Sequence, residues 1–252
     1  MGRMIVAGAA FFLLASCGRG GRGARAVSSD TSTGRRAVAD SAFPDTRHPT
    51  PDTRLIVFLG TSLTAGLGLD PSQAFPALVQ RRLDSLQLPW RAVNAGVSGE
   101  TSAGALRRLD WVLKDAPAIL VLETGANDGL RGLDVDTTRA NLEEIVRRAR
   151  ATVPGIRIVL AGMEAPPNLG ARYTERFRAV FRDVAAREHL ALIPFLLARV
   201  GGVDSLNQAD GIHPNVAGER IVAANVWRIL EPLVTSGAVP TPYTPHPTPS
   251  PR

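Results

Sequence analysis

Between about residues 54 and 236, apolar residues follow two alternating spacings. Short, almost continuous apolar runs that end in Gly or polar residues are typical of strands buried on both faces. Longer stretches with apolar residues three or four positions apart are typical of a helix with one buried face. The runs predict strands at 55–59, 92–93, 118–122, 156–160 and 190–193, and the spaced pattern predicts helices at 73–88, 137–152, 173–188 and 215–233.

This alternation predicts an α/β protein. Apolar strands that alternate with amphipathic helices form a parallel sheet that is covered by helices on both faces. The patterned stretch, 54–236, has the length of one domain with one core. Ligand sites in such open sheets lie at the carboxyl ends of the strands. Polar clusters should therefore follow the strands.

The first seventeen residues have the pattern of an export signal. Arg3 precedes an apolar run at 5–14, which is shorter than the roughly 20 residues that a membrane-spanning helix needs. The run ends in Leu-Ala-Ser-Cys17, which resembles a bacterial lipobox, a signal whose Cys is lipidated. We therefore expect a lipoprotein signal peptide at 1–17 and a lipid anchor on Cys17. The protein would be exported to the bacterial cell envelope, facing the periplasm or the outside; the alternative is a cleaved signal with an incidental Cys.

Low-complexity segments flank the patterned stretch. Residues 18–53 are rich in Gly, Arg, Ser, Thr, Asp and Pro, and contain too few apolar residues to offset the entropy lost on ordering. Residues 237–252 are rich in Pro and Thr. We expect a disordered tether at 18–53 and a disordered tail at 237–252, with the folded domain at 54–236 between them.

The net charge of +6 lies mainly in these flanks. Seven Arg and four Asp in 1–53 give +3, Arg252 adds +1, and the remaining stretch, with 21 basic and 19 acidic residues, contributes only +2. A groove for a phosphate backbone would concentrate cations in the folded part. We therefore expect no nucleic-acid partner.

Metal and disulfide chemistry are not expected either. Cys17 is the only Cys, which excludes an intramolecular disulfide and a Cys-based metal site. No group of His, Asp and Glu residues has the spacing of metal ligands. The sequence predicts a mechanism without a metal or another cofactor.

Four short polar clusters follow the predicted strands or precede the helices. Each contains Gly and stands where the chain has just been most apolar. They occupy 60–64 (Gly-Thr-Ser-Leu-Thr), 96–101 (Gly-Val-Ser-Gly-Glu-Thr), 125–128 (Gly-Ala-Asn-Asp) and 210–215 (Asp-Gly-Ile-His-Pro-Asn).

Ser62 is the first candidate nucleophile. It follows a strand in a tight turn near a helix N-terminus, where free N–H groups favour a developing oxyanion. A serine needs a base within hydrogen-bond reach, and His213 is the candidate base. Asp210, three residues before His213, could orient its imidazole ring and stabilise the imidazolium.

The residues alone leave alternatives to this pairing. The nucleophile-elbow pattern G-x-S-x-G is absent because Thr64 occupies its last position. Ser62 could be only a helix cap, and Ser98 is a rival nucleophile. Of the other histidines, one is expected at the surface near a helix end and two lie in the flanks; they are His189, His48 and His246.

In this order, the four clusters resemble the conserved blocks of the SGNH (GDSL-type) hydrolase family. The resemblance extends from residue 55 to about residue 233, and it implies a flavodoxin-like fold, a three-layer α/β/α sandwich with a mostly five-stranded parallel sheet. It also implies that Ser62 is the nucleophile and that Asp210 and His213 complete the triad. The oxyanion donors would be the backbone N–H groups of Ser62 and Gly99 and the side-chain amide of Asn127.

The stretches 97–102, 125–132 and 210–215 most resemble the periplasmic acyl-CoA thioesterase/lysophospholipase/arylesterase branch of this family. Two positions depart from it. Thr61 stands where family members usually have the Asp of Gly-Asp-Ser-Leu, and Ala126 stands where that branch usually has Gly. The expected consequence is a tuned site, because neither departure touches a residue with an implied role. Glu123 and Asp128 are expected to be structural.

The resemblance implies a serine esterase that hydrolyses acyl esters, thioesters or lysophospholipids through a Ser62 acyl-enzyme. The membrane would be a second partner, through the lipid anchor. The loop 163–170 and the segment after Asn127 are expected to line the acyl pocket. A carbohydrate O-deacetylase of the same family is the alternative enzyme, and a catalytically silent envelope lipoprotein that binds lipid or glycan is the alternative outside enzymes.

Overall fold

The computed structural model of the protein describes residues 53–236, and the predicted signal peptide, tether and tail lie outside them. Five strands form one sheet in which every neighbouring pair is parallel. The strands are β1 (Arg54–Gly60), β2 (Trp90–Gly96), β3 (Ile119–Leu122), β4 (Arg157–Ala161) and β5 (Ala191–Ile193). The helices are α1 (Ser62–Ala65), α2 (Phe75–Ser85), α3 (Ser102–Arg107), α4 (Leu109–Leu113), α5 (Ala126–Leu130), α6 (Val135–Thr152), α7 (Ala171–Arg187) and α8 (Val216–Thr235).

The strand order is β2-β1-β3-β4-β5, so the direction of winding reverses between β1 and β3. At such a switch point the connections leave the sheet toward opposite faces and open a crevice at the carboxyl edge. β1 ends at Gly60, immediately before the turn that carries Ser62. The topology therefore places this turn at the crevice.

Helices cover both faces of the sheet. α2 packs against α8, and α6 packs against α3, α4 and α7. The predicted three-layer α/β/α sandwich with a five-stranded parallel sheet is confirmed. None of the helices in residues 53–236, including the 20-residue α8, is long and apolar enough to cross a membrane.

The edge position of β2 explains why the sequence pattern marked only 92–93. β3 is buried along its whole length, whereas β2 alternates between buried, half-buried and exposed residues. Its apolar run is therefore short, although it pairs with β1 over seven residues. The short helices α1, α3, α4 and α5 were not predicted, because four to six residues are too few to display a helical apolar period.

Phe75 joins three elements beneath the carboxyl edge. Its ring meets Phe58 of β1 edge-on, with 5.6 Å between ring centroids. Its backbone N–H, at the start of α2, donates to the Glu219 carboxyl group of α8 at 2.8 Å. Glu219 is almost fully buried, and this burial raises its pKa to about 8.

Candidate active site

The nucleophile turn begins where β1 leaves the sheet. Gly60 ends the strand, and a Cβ at this position would lie 1.9 Å from the Thr64 hydroxyl oxygen, so only Gly fits. Thr61 is the N-cap and Ser62 the first residue of α1. The Ser62 side chain lines a cleft at the carboxyl edge, although the residue is only 8% exposed.

Three side chains form a continuous hydrogen-bonded chain at this turn. Ser62 Oγ lies 2.9 Å from Nε2 of His213, and Nδ1 of His213 lies 2.6 Å from Oδ2 of Asp210. Ser62 and His213 are 151 residues apart in sequence. The fold thus brings together the three residues that the sequence singled out as nucleophile, base and orienting carboxylate.

The Asp210 carboxylate sets the tautomer of the His213 ring. Hydrogen bonds from the backbone and side chain of His213 and from the backbone of Ile212 lower the pKa of Asp210 to about 2. An ionised carboxylate can only accept hydrogen bonds, so Nδ1 carries the proton and donates it. Nε2 is then left as the acceptor for the Ser62 hydroxyl.

The loop that carries His213 is braced from two sides. Oδ1 of Asp210 accepts the N–H groups of Ile212 and His213 at 2.9 and 3.0 Å, which closes a tight turn. The Gln208 side chain donates to the backbone oxygen of Leu67, just beyond α1, at 2.7 Å. The Gln208 N–H also donates to the His213 carbonyl at 2.7 Å. These bonds hold the base against the nucleophile turn.

Three N–H donors lie at the same edge of the sheet, after β1, β2 and β3. The backbone N–H groups of Ser62 and Gly99 donate to no other group in residues 53–236. One N–H of the Asn127 side chain donates to the Glu100 carbonyl at 2.9 Å, which fixes the amide and leaves its second N–H available. Gly99 has a φ of 78°, a backbone conformation that favours glycine. Arg131 steadies this loop by donating to the Gly99 carbonyl at 2.9 Å.

Asp128 ties the Gly99 loop to the Asn127 segment. Its carboxylate accepts the backbone N–H and the hydroxyl of Ser102, the first residue of α3, and it is 2% exposed. Thr138 of α6 donates to the same carboxylate at 3.3 Å. The side chain of Asp128 thus points into the protein, away from the cleft that Asn127 lines.

The cleft beside Ser62 is small and mainly apolar, with a volume of about 90 Å³. Of the loop 163–170, Met163 and Glu164 line it. Apolar residues after β5 and in the His213 loop supply other walls, which the sequence analysis did not anticipate: Phe195, Leu197 and Ile212. Leu130, in the segment after Asn127, lines the cleft as expected.

The rival residues of residues 53–236 do not share this arrangement. Ser98 is exposed and makes no hydrogen bond to a histidine within residues 53–236, whereas the ring of His213 is bonded to Ser62. His189 precedes β5, at the opposite edge of the sheet. Cys17, His48 and His246 lie outside the described residues. In residues 53–236, no group of three or more His, Cys, Asp or Glu side chains could hold a metal ion.

A larger groove of about 490 Å³ lies between α2 and α8, and it contains none of the predicted site residues. Its walls include Leu78, Trp227 and Arg228. Size therefore does not mark the candidate site in this molecule, whereas the hydrogen-bonded chain of Ser62, His213 and Asp210 does.

The sequence of the chain is similar to a known family and to two characterised bacterial enzymes. The model of the GDSL-like lipase/acylhydrolase family matches residues 58–221. Esterase TesA of Pseudomonas aeruginosa is 46% identical over 190 residues, which cover 75% of this chain and 92% of that protein. The thioesterase 1/protease 1/lysophospholipase L1 of Escherichia coli K12 is 37% identical over 184 residues, which cover 73% of this chain and 85% of that protein.

A solved structure shares the fold. A crystal structure of TesA superposes with a TM-score of 0.68 at 46% sequence identity, covering 71% of this chain and 99% of that chain. The family match includes the Ser62 turn, the Asn127 segment and the His213 loop. The chain therefore belongs to the GDSL-like lipase/acylhydrolase family, and it is a serine ester hydrolase of that family.

Proposed function

We propose that this hydrolase transfers acyl groups through a covalent intermediate on Ser62. The observation that carries the proposal is the unbroken chain from Ser62 Oγ through the His213 ring to Asp210, with links of 2.9 and 2.6 Å. This is the arrangement that a serine needs to lose its proton as it attacks a carbonyl carbon.

The proton and the bonds move as follows. Nε2 of His213 takes the Ser62 proton as the Oγ–carbon bond forms, and Asp210 stabilises the imidazolium. The N–H groups of Ser62 and Gly99 and the Asn127 amide bind the oxyanion. His213 then protonates the leaving alcohol or thiol as its bond to the acyl carbon breaks. A water molecule repeats both steps and releases the acid, restoring the Ser62 hydroxyl.

We infer that the substrates are esters or thioesters with an apolar acyl chain, including lysophospholipids. The relatives named esterase and thioesterase/lysophospholipase support this class. The cleft is apolar but smaller than the roughly 300 Å³ that encloses a drug-sized ligand, so a longer chain must continue past its mouth. Of the eight exposed large apolar residues in 53–236, Leu130 and Ile212 line the cleft and carry its apolar surface out to solvent, where such a chain would lie.

We also propose that the enzyme is exported and anchored to the cell envelope through a lipid on Cys17. The support is the apolar run at 5–14 that ends in Leu-Ala-Ser-Cys17. Such an anchor would keep the domain beside lipid substrates.

The anchor predicts that labelled palmitate enters the full chain in a bacterial host and follows the membrane fraction. Cys17→Ser should lose the label. Ser62→Ala is the control, because it alters the active site and leaves the signal unchanged. Equal labelling of Cys17→Ser and the unmodified chain would contradict the anchor.

Asn127→Ala removes one oxyanion donor and should lower kcat by about 10²–10³, since an oxyanion-hole donor typically contributes that factor. The Asn127 side chain is half-buried and donates a hydrogen bond to one backbone carbonyl, that of Glu100, so Tm should change little. Steady-state kinetics and thermal melts of the same preparation test this. Undiminished kcat would remove Asn127 from the mechanism.

A chain-length series of p-nitrophenyl esters tests the substrate class. Each methylene group of the acyl chain that moves from water into the cleft stabilises the bound transition state by about 0.8 kcal/mol. We therefore expect kcat/KM to rise by up to roughly fourfold for each methylene group from acetyl to medium chains. Leu130→Ser, at the cleft, should flatten this rise. Leu86→Ser is the matched control, because Leu86 is equally exposed but follows α2, away from the cleft. Preference for acetyl would instead indicate a deacetylase.

A further inference from the structure

Glu123 is a buried acid directly beneath the nucleophile turn. It follows the last residue of β3 and is 1% exposed. Its Oε2 accepts the backbone N–H of Thr61 at 2.7 Å, and also the N–H and the hydroxyl of Thr64 at 3.3 and 2.8 Å. The Thr61 hydroxyl donates to Oε1 at 3.0 Å. One carboxyl group therefore receives four donors from the two residues that bracket Ser62-Leu63.

This contact fixes the backbone on both sides of Ser62. The N–H groups of Thr61 and Thr64 point at Glu123, whereas the N–H of Ser62 donates to no group in residues 53–236 and is left for the substrate. The Ser62 side chain is at the same time hydrogen-bonded to His213. Rotation of the turn would misalign the hydroxyl and the N–H together, because both belong to one residue.

Glu123 also connects two parts of the oxyanion site. It is continuous in sequence with the segment that carries Asn127, and its own N–H donates to the Leu59 carbonyl of β1 at 2.8 Å. The carboxyl group thus fixes the Ser62 turn to the segment that supplies the third donor. The Ser62 turn follows β1 and the Asn127 segment follows β3, so the two lie on either side of the switch point between these strands.

Thr61 contributes both its backbone N–H and its hydroxyl to this contact. The resemblance to Gly-Asp-Ser-Leu motifs places an Asp at that position, and an Asp would set a second carboxyl group against Glu123. Here a hydroxyl donates to the carboxyl group instead.

We propose that Glu123 is a positioning residue for acyl transfer, which holds the Ser62 hydroxyl and N–H in register with His213 and Asn127 through Thr61 and Thr64. This inference rests on the proposed function of Ser62. Glu123 touches neither substrate nor base; it acts through the turn.

The test compares Glu123→Ala and Glu123→Gln with the same two changes at Glu219. Glu219 is the matched control for loss of a buried acid near Glu123: it is equally buried, its carboxyl group interacts electrostatically with Glu123, and the backbone N–H that it accepts belongs to Phe75 rather than to the nucleophile turn. Three quantities are measured for each variant: Tm, kcat and KM on a p-nitrophenyl ester, and the rate of inactivation by a phosphonate ester.

Glu123→Ala should lower both kcat and the rate of inactivation by the phosphonate by roughly 10–100-fold, because a displacement of the Ser62 hydroxyl by about 1 Å has an effect of this size. KM should change by less than about twofold. Glu123→Gln should restore most of the rate, because its amide oxygen can accept the N–H groups and the Thr61 hydroxyl can rotate to accept its NH₂. The Glu219 variants should change Tm and leave kcat within about twofold.

Folded Glu123→Ala with undiminished kcat would overturn the inference, and so would an equal loss of kcat in Glu219→Ala. If Glu123→Ala does not fold, the double variant Thr61→Val/Thr64→Val removes both hydroxyl donors at similar volume, and an unchanged kcat there would also overturn it. Ser62→Ala separates the two proposals. If Ser62→Ala retains turnover, the proposed function is wrong. If Ser62→Ala loses turnover while Glu123→Ala remains fully active, only the role of Glu123 as a positioning residue is wrong.

Discussion

The active site depends on the parallel arrangement of the five strands. Because every strand runs in the same direction, all carboxyl ends lie at one edge, and the loops after β1, β2, β3 and β5 meet there. Reversal of the winding direction between β1 and β3 opens that edge at the point where the first loop begins. A serine and a histidine 151 residues apart are thereby brought within 2.9 Å.

Three polar side chains, two of them buried, fix these loops to one another in a defined geometry. Glu123 fixes the nucleophile turn to β3, Asp128 fixes the Gly99 loop to the Asn127 segment, and Gln208 fixes the His213 loop to the end of α1. Each bond crosses between loops that are distant in sequence. Buried carboxyl groups are costly unless several donors satisfy them, and here the donors come from the loops that must be held.

The sequence predicted the fold class, the five strands and the four long helices, because apolar runs and helical spacing report burial directly. It could not predict the extent of β2, where an edge strand mixes buried and exposed residues, or the short helices. Ser62, Asp210 and His213 could be singled out because their chemistry and their place after strands are visible locally. The contacts by which Glu123 and Gln208 hold the loops could not be predicted, since they depend on distances across the sheet. The one signal for Glu123 was an acidic residue directly after an otherwise apolar strand. Phe195 and Leu197 were missed for the same reason, because only the fold brings the segment after β5 to the cleft.

The central claim is that four loops converge on one reactive hydroxyl, and covalent trapping tests it most directly. Incubation with a p-nitrophenyl phosphonate ester, followed by intact-mass measurement and peptide mapping, should give one adduct per chain, on Ser62. The adduct should form far more slowly in folded His213→Ala, because Nε2 would no longer accept the hydroxyl proton. An adduct on another residue, such as Ser98, or labelling of Ser62→Ala equal to that of the unmodified chain, would contradict the account.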